Sequence, residues 1–277
     1  MKLFIMTDLE GVAGVLNFQE WTGPDKLYYS LAREFLTMEI NSAVNGFFEG
    51  GATEILVADG HGPSGININM LDPRVEYLRG WGDGPWPLML DKTFDAVAFV
   101  GQHAKSGTPY AHLAHTQSLG YLDLSINGIS IGEFGQLVMC ASELGIRTIF
   151  GSGDEAFTKE AGKLVPGIET VAVKRGVRSA TGDNLTSEEY MAFTGSAIHL
   201  HPIKARRLIN EGALRAIKRS KKEDFGIIKL SSPFERVTKF RPSANNKNWT
   251  ISRETHPSSV IALMNMPCNP QPLEVSS

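Results

Sequence analysis

Five residues able to ligate a metal ion stand at or just beyond the ends of short apolar runs. Asp8 and Glu10 occur in Thr7-Asp8-Leu9-Glu10-Gly11, His61 in Asp59-Gly60-His61-Gly62 and His103 in Gly101-Gln102-His103, while Glu133 opens an amphipathic stretch. Asp8 and Glu10 are two apart, so in an extended chain both side chains leave the same face. Two carboxylates that close repel each other, and one is driven to hold a proton unless cations neutralise the pair. With two imidazoles and a third carboxylate the set has five nitrogen and oxygen donors and no thiolate. Such a set suits zinc, manganese or cobalt better than a structural cysteine site. It exceeds the three protein ligands of an ordinary catalytic zinc. One carboxylate, Asp8, is therefore expected to bridge two divalent ions about 3.5–4 Å apart, with a shared water as nucleophile.

Taken singly, each residue has an ordinary role. Carboxylates serve as turn and cap residues, His61 could be a loop histidine, and an acidic residue such as Glu133 is favoured at a helix N-terminus. Their joint placement comes from the elements that carry them. Lys2 to Met6, Glu54 to Ala58 and Ala96 to Val100 are short, apolar and followed by turn residues, the signature of strands buried on both faces. A helical stretch from Lys26 to Phe48, stopped by Gly50-Gly51, separates the first two and completes a βαβ unit. In an open parallel sheet, ligands bind beyond the carboxyl ends of the strands, which is where three of these runs deliver their donors.

The alternation continues. Tyr121 to Ile126 and Ile129 to Ile131 flank an Asn127-Gly128 hairpin turn. A helix follows over Glu133 to Leu144, then a strand over Arg147 to Phe150, a helix over Glu155 to Leu164 and a strand over Glu169 to Lys174. Gly62 to Pro87 is the longest candidate loop. Ala180 to Ser196 lacks a steady period, and a basic helix runs from Pro202 to about Lys222. Strands are expected over Ile227 to Leu230, Arg236 to Phe240 and Thr250 to Ser252, then a helix over Ser258 to Met266 and a frayed tail from Pro267. The expected fold is α/β, a mostly parallel sheet flanked by helices in doubly wound fashion, with a smaller C-terminal α+β part. Residues 1–178 form the metal-binding core and 179–277 an appendage packed on it.

Bulk properties narrow the partners. The 277 residues are 42% hydrophobic with a formal charge of −3, which gives no reason to expect nucleic acid or an anionic membrane. No apolar run approaches the ~18 residues of a membrane span, and the N-terminus lacks a signal-peptide pattern. The cysteines are Cys140, expected as a buried thiol in its helix, and Cys268, so a reducing, cytoplasmic setting is expected.

The segments MTDLEGVAGV, ILVADGHG, FVGQHAKSGTPYAHLAHT and INGISIGEFG, in this order and spacing, resemble the dipeptide-transport-operon type of zinc-dependent D-aminopeptidases. The resemblance covers about residues 1 to 178 and continues more loosely beyond. It implies that Asp8, Glu10, His61, His103 and Glu133 hold two zinc ions and that His115 is the active-site histidine. It further implies release of N-terminal residues from short peptides, and a large homo-oligomeric ring, a decamer, in which the C-terminal part takes part. The histidine-to-histidine interval is one residue longer here than in the family, which leaves His112 as a competitor for the role of His115. The 180–196 region reads as an insertion.

Several residues stay open between roles. His115 could stabilise an oxyanion, shuttle a proton or attack directly. Asp59 could read the substrate amine, support a histidine or simply form a turn. Lys174-Arg175 could bind a carboxylate or be solvated surface, and Asp154 reads as a helix cap. His199, His201 and His256 read as structural. The Lys204 to Lys222 helix has no interleaved aromatics and reads as a solvated face. Other binuclear amidohydrolases or phosphoesterases could use the same ligands, and a non-catalytic peptide-binding scaffold would need no metal.

Overall fold

The computed structural model describes residues 1–229 and 231–273. The chain begins with β1 (Lys2–Thr7), a short α1 (Phe18–Trp21), the long α2 (Tyr29–Glu49) and β2 (Glu54–Asp59). Next come β3 (Glu76–Leu78), β4 (Ala96–Gln102) and a hairpin of β5 (Tyr121–Ile126) with β6 (Ile129–Ser130). α3 (Glu133–Leu144), β7 (Arg147–Asp154), α4 (Glu155–Leu164) and β8 (Glu169–Gly176) continue the alternation. The last third contributes α5 (Ser187–Phe193), β9 (Ala197–His199), α6 (Pro202–Ser220), β10 (Phe234–Phe240), β11 (Thr250–His256), α7 (Val260–Asn265) and β12 (Gln271–Pro272).

Seven strands form one sheet in the order β3-β2-β1-β4-β7-β8-β9, parallel except for β9. The order turns back between β1 and β4, the switch point at which a doubly wound sheet opens a crevice. Alternate side chains of the central strands go to opposite faces. Leu3, Ile5, Ala98 and Val100 meet α2 and α6 through Leu36, Ile40, Ile209 and Ala213. Phe4, Met6, Val97 and Phe99 meet α3 and α4 through Phe134, Leu137, Val138 and Phe157. Each such buried side chain stabilises the layers by about 1.5–3 kcal/mol relative to exposure.

A second, antiparallel sheet has the order β12-β11-β10-β5-β6. It packs on α7 and on the far side of α3, where Met139 and Cys140 meet Leu124, Phe234, Val260 and Leu263. The β5–β6 hairpin, early in sequence, thus shares a sheet with the C-terminal strands, while α6 and β9 complete the first layer. Its turn residues Asn127 and Gly128 have φ of 50° and 77°, the conformation a two-residue hairpin requires.

Four local expectations change. The strand over Ile227 to Leu230 does not form at 227–229, and Leu230 lies outside the described residues. Gly226, at φ 99°, turns the chain so that a single carbonyl accepts from Thr148 N at 2.8 Å, and Ile228, partly buried, then packs against the core. Within the long loop, a 3-10 turn (Ile68–Met70) and β3 form, and β3 extends the sheet edge beside β2. The aperiodic 180–196 region contains α5, started by a reciprocal capping box between Thr186 and Glu189. Seven residues are too few to establish a period. The tail is paired at Gln271–Pro272 against Thr250 and Ile251.

Candidate active site

The carboxyl ends of β1, β2 and β4 converge with the N-terminus of α3. Asp8 follows β1, and its backbone N–H donates to Val100 O of β4 at 3.0 Å. Gly101 lies at φ 77°, and a Cβ there would fall within the Asp8 carbonyl oxygen. Only glycine admits both that conformation and that close approach. His61 follows β2 and His103 follows β4, while Glu133 is the first residue of α3.

All five donors meet. Asp8 Oδ1 lies 3.3 Å from His61 Nδ1, and its Oδ2 lies 3.0 Å from His103 Nε2. Glu10 Oε2 is 3.1 Å from His61 Nδ1, and Glu133 Oε2 is 3.6 Å from His103 Nε2. Among the described residues, Asp8, Glu10 and His103 form one set of donors within 4.8 Å of one another, and His103, His115 and Glu133 form a second.

The outer nitrogens define the tautomers. His61 Nε2 is 3.0 Å from Thr22 O and His103 Nδ1 is 2.9 Å from Ala104 O. A carbonyl oxygen only accepts, so both outer nitrogens carry protons. Nδ1 of His61 and Nε2 of His103 therefore face the carboxylates. Burial alone would lower the His61 imidazole, but Glu10 and Asp8 push it up to about 11. The same competition raises His103, through Glu133 and Asp8, well above its usual range. Burial opposes ionisation of Asp8, yet its two histidines hold it well below the usual carboxylate range. The cluster thus requires positive charge, which protons supply in the absence of another cation.

His115 belongs to this site and His112 does not. The His115 ring stacks on His103, its Nδ1 lies 2.9 Å from Leu113 O, and its Nε2 is 3.8 Å from Glu133 Oε1. It reaches a cavity of about 400 Å³ shared with Asp8, Glu10, His61 and Glu133. Non-glycine residues Tyr110, Leu113 and Gln117 adopt positive φ in the loop that carries it, a strained backbone of the kind found at functional sites. Gln117 N donates to Glu133 Oε1 at 2.7 Å, a tie with no motif to signal it in sequence.

His112 is fully buried, with Nε2 donating to Leu16 O at 3.0 Å, and burial lowers its imidazole to about 2. It is one of four side chains beneath the Glu10–Leu16 loop, three of them buried and the fourth, His199, half-buried. Lys174 Nζ donates to the carbonyls of Glu10 and Val15, Glu39 Oε1 accepts from Ala13 N, and His199 Nδ1 accepts from Gly14 N. Lys174 is 3% exposed, so neither surface solvation nor a substrate carboxylate is its role. The alternation of β8 places it on the inner face, whereas Arg175 is exposed.

Asp59 makes no contact with the His61 ring and is closed to solvent. Its carboxylate accepts from Gly65 N, Ser64 Oγ and Tyr77 Oη, latching the loop after His61. Arg79 donates to the carbonyls of Asp59, His61 and Gly62 from the other side. Asp154 caps α4 through Phe157 N and also accepts from His112 N. His201 and His256 accept from backbone N–H groups at helix starts.

Comparison with known proteins places these features among relatives. The model of a family described as D-aminopeptidase matches residues 1–194. A D-aminopeptidase of Bacillus subtilis (strain 168) is 29% identical over 226 residues, covering 80% of this chain and 76% of that protein. The solved structure of the Zn-dependent D-aminopeptidase DppA from Bacillus subtilis, described as a self-compartmentalizing protease, superposes with a TM-score of 0.81. At 22% identity it covers 95% of this chain and 94% of that one, and shows the same fold. Because the family model spans well over half of its length, this chain belongs to the D-aminopeptidase family.

Proposed function

We propose that this aminopeptidase removes the N-terminal residue of short peptides with two divalent ions, zinc in the first instance, held by Asp8, Glu10, His61, His103 and Glu133. One observation carries the reading. Two buried imidazoles, each with its outer nitrogen committed to a backbone carbonyl, aim their other nitrogen at carboxylates, with Asp8 between them. Cations bound there would be ligated by lone pairs and carboxylates alike, and the donor set fits them. The name of the solved zinc-dependent relative supports zinc. Bound metal would supply Lewis-acid polarisation of the scissile carbonyl and favour ionisation of water near neutral pH.

The chain's own residues supply the rest. Asp8 Oδ1 is fixed by Leu9 N at 2.8 Å, which orients both of its oxygens. His115 holds its Nδ1 proton on Leu113 O, so Nε2 accepts a proton from the attacking water and returns it to the leaving amine. The stack on His103 and the Phe18 edge at 5.6 Å prevent the ring from turning away. His115 is thus the catalytic histidine.

The working form is a homo-oligomeric ring, a decamer, to which residues 179–277 contribute. Apolar Tyr110, Ile198 and Ile203 exposed on the surface, and the self-compartmentalizing description of the solved relative, support this. Two free cysteines suit a reducing cytoplasm. Among the described residues no helix is long and apolar enough to cross a membrane. Metal analysis with a panel of D- and L-aminoacyl anilides and dipeptides tests the reading. Stoichiometric zinc and chelator-sensitive anilide hydrolysis are expected. Absence of transition metal together with chelator-insensitive activity would overturn it, and turnover of phosphate esters alone would favour a phosphoesterase.

A further inference from the structure

The cavity at the metal-type cluster has two unlike halves. Beside the carboxylates and histidines, its lining has an apolar wall, with Trp81, Trp86 and Leu88 backed by the buried Met6, Phe99 and Leu137 of the sheet and α3. The two tryptophans and Leu88 are only partly buried and pack on the same core cluster as Met6 and Phe99. Burying large apolar side chains beside a polar centre, while leaving their faces open to a cavity, is the arrangement of a site that takes an apolar group.

The 79–90 segment that carries these side chains is anchored at both ends. Arg79 grips the carbonyls around His61. Asn265 of α7 clamps Trp86 reciprocally, its Oδ1 accepting from Trp86 N at 3.0 Å and its Nδ2 donating to Trp86 O at 2.9 Å. Asn265 is itself held on Ile261 O at 3.1 Å. The indole wall is therefore positioned by the C-terminal part of the chain.

We propose that this wall is the pocket for the side chain of the substrate's N-terminal residue, and that Trp86, set by Asn265, selects bulky aliphatic or aromatic residues over alanine. The proposal rests on the aminopeptidase reading above. In that reaction the scissile carbonyl belongs to the N-terminal residue, whose side chain branches from the α-carbon next to the carbonyl carbon held at the cluster. The apolar lining of the same cavity is the surface offered to it. Among the described residues no charged side chain belongs to this apolar wall, and an acidic or basic N-terminal residue would lose its hydration against it without a partner.

The test uses the wild-type protein with alanyl, leucyl, phenylalanyl and lysyl p-nitroanilides of both configurations. Leucyl or phenylalanyl substrates are expected to exceed alanyl by at least about tenfold in kcat/KM, with lysyl lowest. In Trp86→Ala and Asn265→Ala the phenylalanyl-to-alanyl ratio should fall by about tenfold. Free phenylalanine and alanine, as competitive inhibitors of the wild type, give the same ranking without any substitution. A wild type that turns over anilides yet prefers alanyl, or ratios unmoved in both variants, would overturn this assignment alone. If no anilide is hydrolysed by metal-loaded protein, the aminopeptidase reading itself fails. Dipeptides with alanine first and a varied second residue separate the remaining case. A Trp86→Ala effect that follows the second residue would place the wall on the leaving side and overturn the proposal.

Discussion

His115 lies face to face on His103, with ring centroids 4.0 Å apart and planes inclined by 14°. The contact joins the proposed catalytic histidine to one that faces the cluster of carboxylates. It also separates two roles a substitution can test. His115→Phe keeps an aromatic face against His103 but removes Nε2. We expect metal content and thermal stability near wild type, with kcat on an aminoacyl anilide lower by about 10²–10⁴-fold. Full kcat in a metal-replete variant would remove His115 from the chemistry.

His112→Ala should behave in the opposite way. It leaves Leu16 O without its donor and opens a hole beneath the Glu10–Leu16 loop. Unfolding in urea is expected to show a loss of about 2 kcal/mol, with kcat changed only a few-fold. A collapse of kcat in stable His112→Ala protein would reopen the choice between the two histidines.

Metal binding should release protons. In the metal-free protein His61 is raised to about 11 and is therefore protonated at pH 7.5, while Glu133 and Asp8 raise His103 in the same direction. Loading zinc should then expel at least about one proton per chain, the one on His61, read by calorimetry in buffers of different ionisation enthalpy. The metal-free protein has a matching stability profile. The His61 contribution is complete below about pH 6.5 and disappears as pH rises through about 11, whereas that of Asp8, whose pKa is depressed, is lost as pH falls below its usual range. Zinc uptake without proton release would contradict this charge state.

Lys174 and Glu39 should differ sharply in tolerance. Lys174→Met strands two carbonyls and leaves Asp154 without its buried cation, for an expected loss of about 3 kcal/mol or more. Burial pushes Glu39 up to about 8, so it is mostly protonated at pH 7 and Glu39→Gln should cost under about 1 kcal/mol there. Because its folded pKa is raised, the wild type should lose stability between pH about 4.5 and 8 through this group. The glutamine variant should lack that decline, as thermal melts across this range would reveal.

Gly101→Ala should lower both melting temperature and zinc content, because φ 77° strains any L residue and the new Cβ meets the Asp8 carbonyl. Gly162→Ala is the control. It sits exposed in α4 with open space around it and should stabilise by up to about 1 kcal/mol.

The order of chemical types along the chain was enough to place the candidate ligands at strand ends. Apolar runs of period-free β residues can be satisfied only in a sheet covered on both faces, so Asp8, His61 and His103 had to emerge at one edge. Glu133 and the cap at Asp154 were equally legible, because they depend on neighbours three or four residues away. Everything that depends on distant pairs was hidden. His112 and His115 are indistinguishable as neighbours in a loop, and only the left-handed turns at Tyr110 and Leu113 send one ring to the metal-type cluster and the other beneath the Glu10–Leu16 loop. Lys174 reads as surface beside Arg175 until β8 takes its place between β7 and β9. The clamp of Asn265 on Trp86 spans 179 residues, a closure that only the packing of α7 against the 79–90 segment brings about.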